Sequence, residues 1–81
     1  MDLTNTTIQK FFINIERTDI DETMQDLVSE DIIDSIDIMA LVAEIEKYYG
    51  KTLNAEFISP ENFEDFESIK NMLNKAYLNK L

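Results

Sequence analysis

The chain has a single Gly and a single Pro among its 81 residues, and this scarcity restricts its fold more than any other feature. The tight turns of β-hairpins depend on such residues, whereas the plentiful Ile, Leu, Met, Glu and Lys favour helices. A length of 81 residues suits one domain, covering residues 1–81, with a modest core. The sequence therefore predicts an all-α fold: a small four-helix bundle with three main helices and one short helix.

Helical spacing of apolar residues, together with capping residues, places these helices along the chain. Gly50 stands where the C-cap glycine of the second helix belongs, and the pair Ser59-Pro60 is typical of a helix start. Asp65 is expected to cap the last helix. The predicted helices cover about residues 4–17 with a cap at Thr4, Asn5 or Thr6, from 35 or 36 to 49, a short segment from 60, and about 66–77.

Residues 18–34 are predicted to form a long acidic loop between the first two helices, with a short helical turn near residues 23–27. A loop of this length in so small a domain usually has a functional reason. Four of its residues match the first, third, fifth and twelfth positions of a calcium-binding loop: Asp19, Asp21, Thr23 and Glu30. Met24 occupies the sixth position, where the sharp turn needs Gly, which favours a solvated acidic loop over a calcium site.

Composition excludes several classes of function. The chain contains neither Cys nor His, so disulfides, zinc-thiolate sites and Ser-His-Asp or Cys-His catalysis are ruled out, and we expect no enzyme. A formal charge of −10 repels nucleic acids and anionic membranes and attracts proteins with basic surfaces. The N-terminal residues lack a basic stretch followed by an apolar one, so a cytoplasmic, monomeric protein without membrane insertion is expected.

The stretch EDIIDSIDIM, residues 30–39, places Ser35 between two acidic residues at the start of the second helix. In one interpretation Ser35 or Asp34 is an ordinary N-cap, with Asp37 three residues after Asp34 completing a box-like pair. In the other, Ser35 is a nucleophile that another protein modifies. The positive end of the helix dipole would stabilise a phosphate ester at this position.

Ile36, Met39 and Ala43 lie on a different side of the second helix from the apolar stripe of Leu41 and Ile45. Large apolar groups beside acidic residues are typical of a docking surface for another protein. The alternative is that a small bundle buries these side chains in its core.

The order of these parts, over nearly the whole chain, resembles the acyl carrier and peptidyl carrier protein superfamily. The family's Asp-Ser-Leu motif reads Asp34, Ser35 and Ile36 here, and the acidic helix DIMALVAEIEKYYG follows. That helix ends in Tyr49 and Gly50, an aromatic residue and a glycine, as in the family. The Leu27-Val28 pair and the segment SPENFEDFESI also resemble the family's loop and last two helices.

The resemblance implies that a phosphopantetheinyl transferase attaches 4'-phosphopantetheine from coenzyme A to Ser35. The arm would hold an acyl or aminoacyl group as a thioester, loaded by an adenylating ligase and used by a downstream synthase or transferase. Asp34 would help to position the transferase reaction. The side facing the partners would consist of Ile36, Asp37, Met39, Ala43 and Glu46.

Departures from the family pattern bear on which group is carried. Ala40 and Lys47 stand where carriers of fatty-acid synthesis commonly have acidic residues. This favours a stand-alone carrier for an aminoacyl or specialised acyl group, although a fatty-acid carrier stays open. A hypothesis from another class is an unmodified acidic helical adaptor, calcium-responsive through the Asp19–Glu30 loop.

Overall fold

The computed structural model describes residues 3–78, and within this range the chain forms helices and turns but no β-strand. Three α-helices appear in chain order: α1 (Asn5–Asn14), α2 (Ser35–Tyr49) and α3 (Phe66–Leu73). Two 3₁₀-helices, Ala55–Phe57 and Pro60–Phe63, lie between α2 and α3, and a π-helical segment, Asn74–Leu78, continues α3. The all-α prediction is confirmed, whereas the expected short fourth helix is shown only in part, by 3₁₀-turns of which one begins at Pro60.

One hydrophobic core collects side chains from all three α-helices and from the connections between them. Phe12 of α1 and Phe66 of α3 stack in parallel, with ring centroids 5.5 Å apart. No polar or charged side chain is buried among residues 3–78, so burial of apolar surface is the main force that holds the helices together. The buried residues are Ile8, Phe11, Phe12, Ile20, Leu27, Ile33, Ile38, Leu41, Val42, Ile45, Leu53, Phe63, Phe66, Ile69, Met72 and Leu73.

Helix α1 begins at the predicted cap but ends three residues earlier than predicted. The Thr4 hydroxyl accepts the backbone N–H of Thr7, which makes Thr4 the N-cap. At the other end, Glu16 has φ of 66° and the Arg17 N–H bonds to the Phe12 carbonyl at 2.9 Å. This is a Schellman ending, in which a left-handed residue stops the helix and satisfies its last carbonyls.

Helix α2 follows the prediction closely. It begins at Ser35, and Gly50 ends it with φ of 70°, a left-handed conformation that residues with a side chain rarely adopt. The Gly50 N–H bonds to the Glu46 carbonyl at 2.8 Å and closes the last turn. The core face of α2 consists of Ile38, Leu41, Val42 and Ile45, as the spacing predicts.

The end of the chain matches the prediction in position and differs in helix type. Asp65 caps α3 by accepting the Ser68 N–H at 2.7 Å, as expected. Beyond Leu73 the turns widen into the π-helical segment, so the predicted helix over 66–77 consists of two geometries. Tyr77 in this segment stacks on Tyr49 of α2, with ring centroids 4.1 Å apart, and thereby joins the two helix ends.

The connection between α1 and α2 is a well-anchored loop whose helical turn is misplaced in the prediction. The turn covers residues 27–31, about one turn later than the predicted segment 23–27. Asp31, with φ of 58°, ends it in a second Schellman arrangement, where the Ile32 N–H bonds to the Leu27 carbonyl at 2.9 Å. The loop is thus held in a defined path up to the first residue of α2.

The core assignment predicts that the same substitution has different effects on stability at two positions of α1. Ile8 is fully buried, so Ile8→Val should lower the free energy of unfolding by about 0.5–1.5 kcal/mol. Ile13 is 47% exposed, so Ile13→Val should change it by less than about 0.5 kcal/mol. Urea denaturation followed by circular dichroism measures both, and equal losses would contradict the assigned core face.

Candidate modification site

The first turn of α2 is closed by a reciprocal pair of aspartates. Oδ1 of Asp34 accepts the backbone N–H groups of Ile36 at 3.0 Å and Asp37 at 3.1 Å. In return, Oδ2 of Asp37 accepts the Asp34 N–H at 3.2 Å, which completes a capping box. Asp34 is therefore the N-cap, and the choice that the sequence left open between Asp34 and Ser35 is resolved.

Ser35 is the first helical residue and is exposed to solvent. Its hydroxyl makes no hydrogen bond with any residue in the range 3–78, because Asp34 already supplies the cap. The hydroxyl lies at the positive end of the α2 dipole, where a negatively charged substituent is favoured. Ser35 is therefore exposed, and its side chain takes no part in capping α2.

Arg17, just after α1, reaches across to this helix start. Its guanidinium donates to Oδ2 of Asp37 at 2.7 Å and to the Ile32 carbonyl at 2.7 Å. Two further bonds, at 3.1 and 3.2 Å, reach the carboxylate of Asp19 and lower the pKa of that group. We call Arg17, Asp19, Ile32 and Asp37 the Arg17 cluster; it ties the end of α1 and the loop to the first turn of α2.

Glu64, ahead of α3, holds the loop from the opposite side. Its carboxylate accepts the N–H groups of Val28 at 2.9 Å and Ser29 at 3.0 Å, and the Ser29 hydroxyl at 2.6 Å. The Glu64 carbonyl also accepts the Leu27 N–H at 2.8 Å. The bonds to the carboxylate, led by the one from the Ser29 hydroxyl, lower the pKa of Glu64. A distant carboxylate thus caps the loop's helical turn.

Part of the predicted docking side is an exposed apolar stripe along α2. Ile36 is 77% exposed and Met39 is 58% exposed, and Ala43 is exposed one turn further on. The bundle therefore does not bury them, in contrast to the alternative that the sequence left open. We call Ile36, Met39 and Ala43 the α2 stripe; it begins directly beside Ser35.

The two acidic residues of the predicted partner-facing side have internal contacts. Asp37 belongs to the capping box and pairs with Arg17, and its side chain is only 23% exposed. Glu46 accepts the Leu53 N–H at 2.8 Å and so supports the chain after α2. The carboxylates of Asp37 and Glu46 thus hold the local structure together.

The carboxylates of the calcium-like pattern are directed to separate partners. Asp19 pairs with Arg17, whereas Asp21 accepts the N–H of Thr23 at 2.9 Å and its hydroxyl at 2.6 Å. The Thr23 bonds lower the pKa of Asp21. Within residues 3–78 the acidic side chains form no group of three that could hold a metal ion, and no helix there is long and apolar enough to cross a membrane.

A cavity of about 270 Å³ lies between α1 and α2, away from Ser35. Its lining includes Phe11 of α1, and Lys47 and Tyr48 near the end of α2, but none of the residues at the helix start. Ser35 itself is exposed on the surface at the start of α2. Comparisons with protein-family models, with curated proteins and with solved structures find no match to this chain.

Sequence reasoning recognised Asp34 and Asp37 as a capping pair but missed the roles of Arg17 and Glu64. A signal for Arg17 exists: between residues 11 and 46 it is the only basic residue, among eleven acidic ones. A single cation among so many carboxylates is expected to attract several of them from different parts of the chain. Glu64 carries no comparable signal, because it is one of seventeen acidic residues.

The cap assignment predicts different costs for two adjacent substitutions. Asp34→Ala removes the acceptor of two backbone N–H groups and should lower the free energy of unfolding by about 0.5–2 kcal/mol. Ser35→Ala removes an unbonded hydroxyl and should change it by less than about 0.5 kcal/mol. Urea denaturation compares the two variants, and a larger loss for Ser35→Ala would overturn the assignment.

The contacts of Glu64 predict a pH-dependent contribution to stability. Because folding lowers the pKa of Glu64 below its ordinary 4.5, its contribution is present above pH 4.5 and disappears as the pH falls through the folded value. Glu64→Gln should therefore melt below the wild type at pH 7, with a gap that narrows toward pH 3. Glu22→Gln, at an exposed carboxylate without such contacts, is the control for melting curves across pH. A gap that stays constant in acid would contradict this role.

Proposed function

We propose that this protein is a discrete carrier protein that holds an acyl or aminoacyl group as a thioester on a phosphopantetheine arm attached to Ser35. One observation carries the proposal: Asp34 makes the cap bonds of α2 and leaves the exposed Ser35 hydroxyl without a hydrogen bond among residues 3–78. If Ser35 served only as a cap, its side chain would accept backbone N–H bonds, as the side chain of Asp34 does.

The attachment transfers a phosphopantetheinyl group from the pyrophosphate of coenzyme A to the hydroxyl of Ser35. The Ser35 oxygen forms a bond to the phosphorus that bears the pantetheine arm, the pyrophosphate bond of coenzyme A breaks, and the nucleotide leaves. The proton of the hydroxyl is lost to the transferase or to solvent. The new phosphodiester carries a negative charge, which the positive end of the α2 dipole favours.

The arm supplies a thiol to a chain that has no cysteine. An adenylating ligase loads the thiol with an acyl or aminoacyl group, and a downstream synthase or transferase takes the group over. The carrier itself catalyses none of these steps and serves as the substrate that the enzymes exchange. Ala40 and Lys47 in α2 favour a dedicated aminoacyl or specialised acyl pathway over fatty-acid synthesis.

The partners of such a carrier have to recognise its surface around Ser35. The α2 stripe offers Ile36 and Met39 as apolar anchors, and the formal charge of −10 attracts a basic rim around the partner's apolar pocket. The phosphopantetheinyl transferase, the ligase and the acceptor enzyme are expected to share this character. We propose that the carrier works as a monomer in the cytoplasm.

The proposal predicts one covalent addition at one serine. Wild-type protein incubated with coenzyme A, magnesium and a promiscuous phosphopantetheinyl transferase should gain a single phosphopantetheinyl group, because one hydroxyl stands at the start of α2. Ser35→Ala should gain none. Ser59→Ala is the matched control, since Ser59 precedes a 3₁₀-helix and also makes no cap bond with its side chain. Intact-mass spectrometry reads the addition directly.

Two results would count against the carrier function. The first is a folded wild-type protein that gains no group, which would favour the unmodified acidic adaptor acting through the α2 stripe. The second is an addition that persists in Ser35→Ala, which would move the modification to another residue. Circular dichroism of each variant separates loss of modification from loss of folding.

A further inference from the structure

The first turn of α2 gathers three carboxylates around one cation. Asp19, Asp34 and Asp37 all act on Arg17 through their charges, and Asp19 and Asp37 lie within 3.2 Å of its guanidinium. Without a cation these like charges would repel one another at the point where the helix begins. Arg17 is the only arginine of the chain, and the nearest basic residue along the sequence in either direction is Lys10.

The guanidinium also fixes the geometry of the helix start. Oδ2 of Asp37 is shared: it accepts one bond from Arg17 at 2.7 Å and one from the Asp34 N–H at 3.2 Å. The bond from Arg17 therefore holds Asp37 in the orientation that the capping box needs. A planar guanidinium can serve several acceptors at fixed angles, which a lysine ammonium cannot reproduce.

The second 2.7 Å bond of Arg17 holds the loop residues just before this turn. It joins Arg17 to the carbonyl of Ile32, the residue before the buried Ile33. Ser35 is thus flanked on one side by a fixed carbonyl and a core anchor, and on the other by Asp37. Its own hydroxyl takes part in neither contact.

We infer that Arg17 is a positioning residue for the modification of Ser35: through Asp37 and Ile32 it holds the backbone that presents the hydroxyl to the transferase. This inference rests on the proposed function. Arg17 touches neither Ser35 nor the transferred group in this role. It acts by limiting the conformations of residues 32–37, so that the hydroxyl meets the phosphorus in one orientation.

Kinetics of the transferase reaction distinguish a positioning role of Arg17 from an effect of Arg17 on overall stability or on net charge. Arg17→Gln changes the formal charge from −10 to −11, which strengthens the attraction to a basic enzyme, so KM should not rise at low salt. The looser helix start should lower kcat by about tenfold, since small displacements of a reacting group cost up to about a hundredfold. A fall in kcat without a rise in KM is the expected signature.

The experiment measures kcat and KM with coenzyme A and one transferase at a temperature where circular dichroism shows every variant folded. Arg17→Lys keeps the charge but not the planar fork and should give a kcat between those of wild type and Arg17→Gln. Lys10→Gln is the matched control, because it changes the formal charge from −10 to −11 as well, at an exposed residue outside the Arg17 cluster, and should leave kcat near the wild-type value. Hydrogen exchange at the amides of Ile36 and Asp37 should become faster in Arg17→Gln and stay unchanged in Lys10→Gln.

The outcomes separate this inference from the function on which it rests. If the wild type gains no group, the carrier function fails and the inference fails with it. If the wild type is modified and Arg17→Gln matches it in kcat and in amide exchange, the carrier function stands and Arg17 has no positioning role. A lower kcat with a matching rise in KM would also overturn the inference, because it would point to lost binding.

Discussion

Burial of three apolar side chains of the loop between α1 and α2 is the constraint on which the rest of the structure depends. The three α-helices have 10, 15 and 8 residues, too few to enclose a core alone, and the loop fills the remaining space with Ile20, Leu27 and Ile33. Each anchor is buried almost completely and fixes the path of the chain around it. Polar contacts then have defined places: the Gln9 amide reaches the Ile20 carbonyl at 2.7 Å, and Arg17 and Glu64 hold the segments in between. The start of α2 inherits its position from this loop.

The helices could be predicted where local chemistry decides the structure. Asp65 and Gly50 have the residue types that helix ends require, and apolar spacing fixes the core face of α2. The end of α1 could not be predicted in the same way, because Ile15 continues the apolar period beyond the actual end. Glu16 and Asp31 stop their turns in left-handed conformations that non-glycine residues rarely adopt, so the sequence gives no local warning.

In the candidate site, too, the local contacts could be predicted from the sequence and the distant contacts could not. Asp34 and Asp37 bond to their own turn, and their spacing of three residues could be recognised directly. Arg17 meets Asp37 across 20 positions of sequence, and Glu64 meets Val28 across 36. Such pairs follow from how the helices and the loop pack, which one sequence does not reveal. The exposure of the α2 stripe could not be predicted either. The spacing of apolar residues alone does not show whether a side of the helix is exposed for docking or buried in the core.

The start of α2 combines two demands that oppose each other. The capping box of α2 uses the carboxylates of Asp34 and Asp37, whereas the proposed phosphodiester at Ser35 would add a further negative charge beside them. The Arg17 cluster reconciles the two, because one guanidinium neutralises part of the charge of Asp37 and Asp19 while leaving the cap bonds in place. Asp34 makes the cap bonds and Ser35 takes no part in them, so in the proposed function stability and modification would not compete for one side chain. The single arginine of this acidic chain thus lies beside the helix start where the proposed modification would add a negative charge.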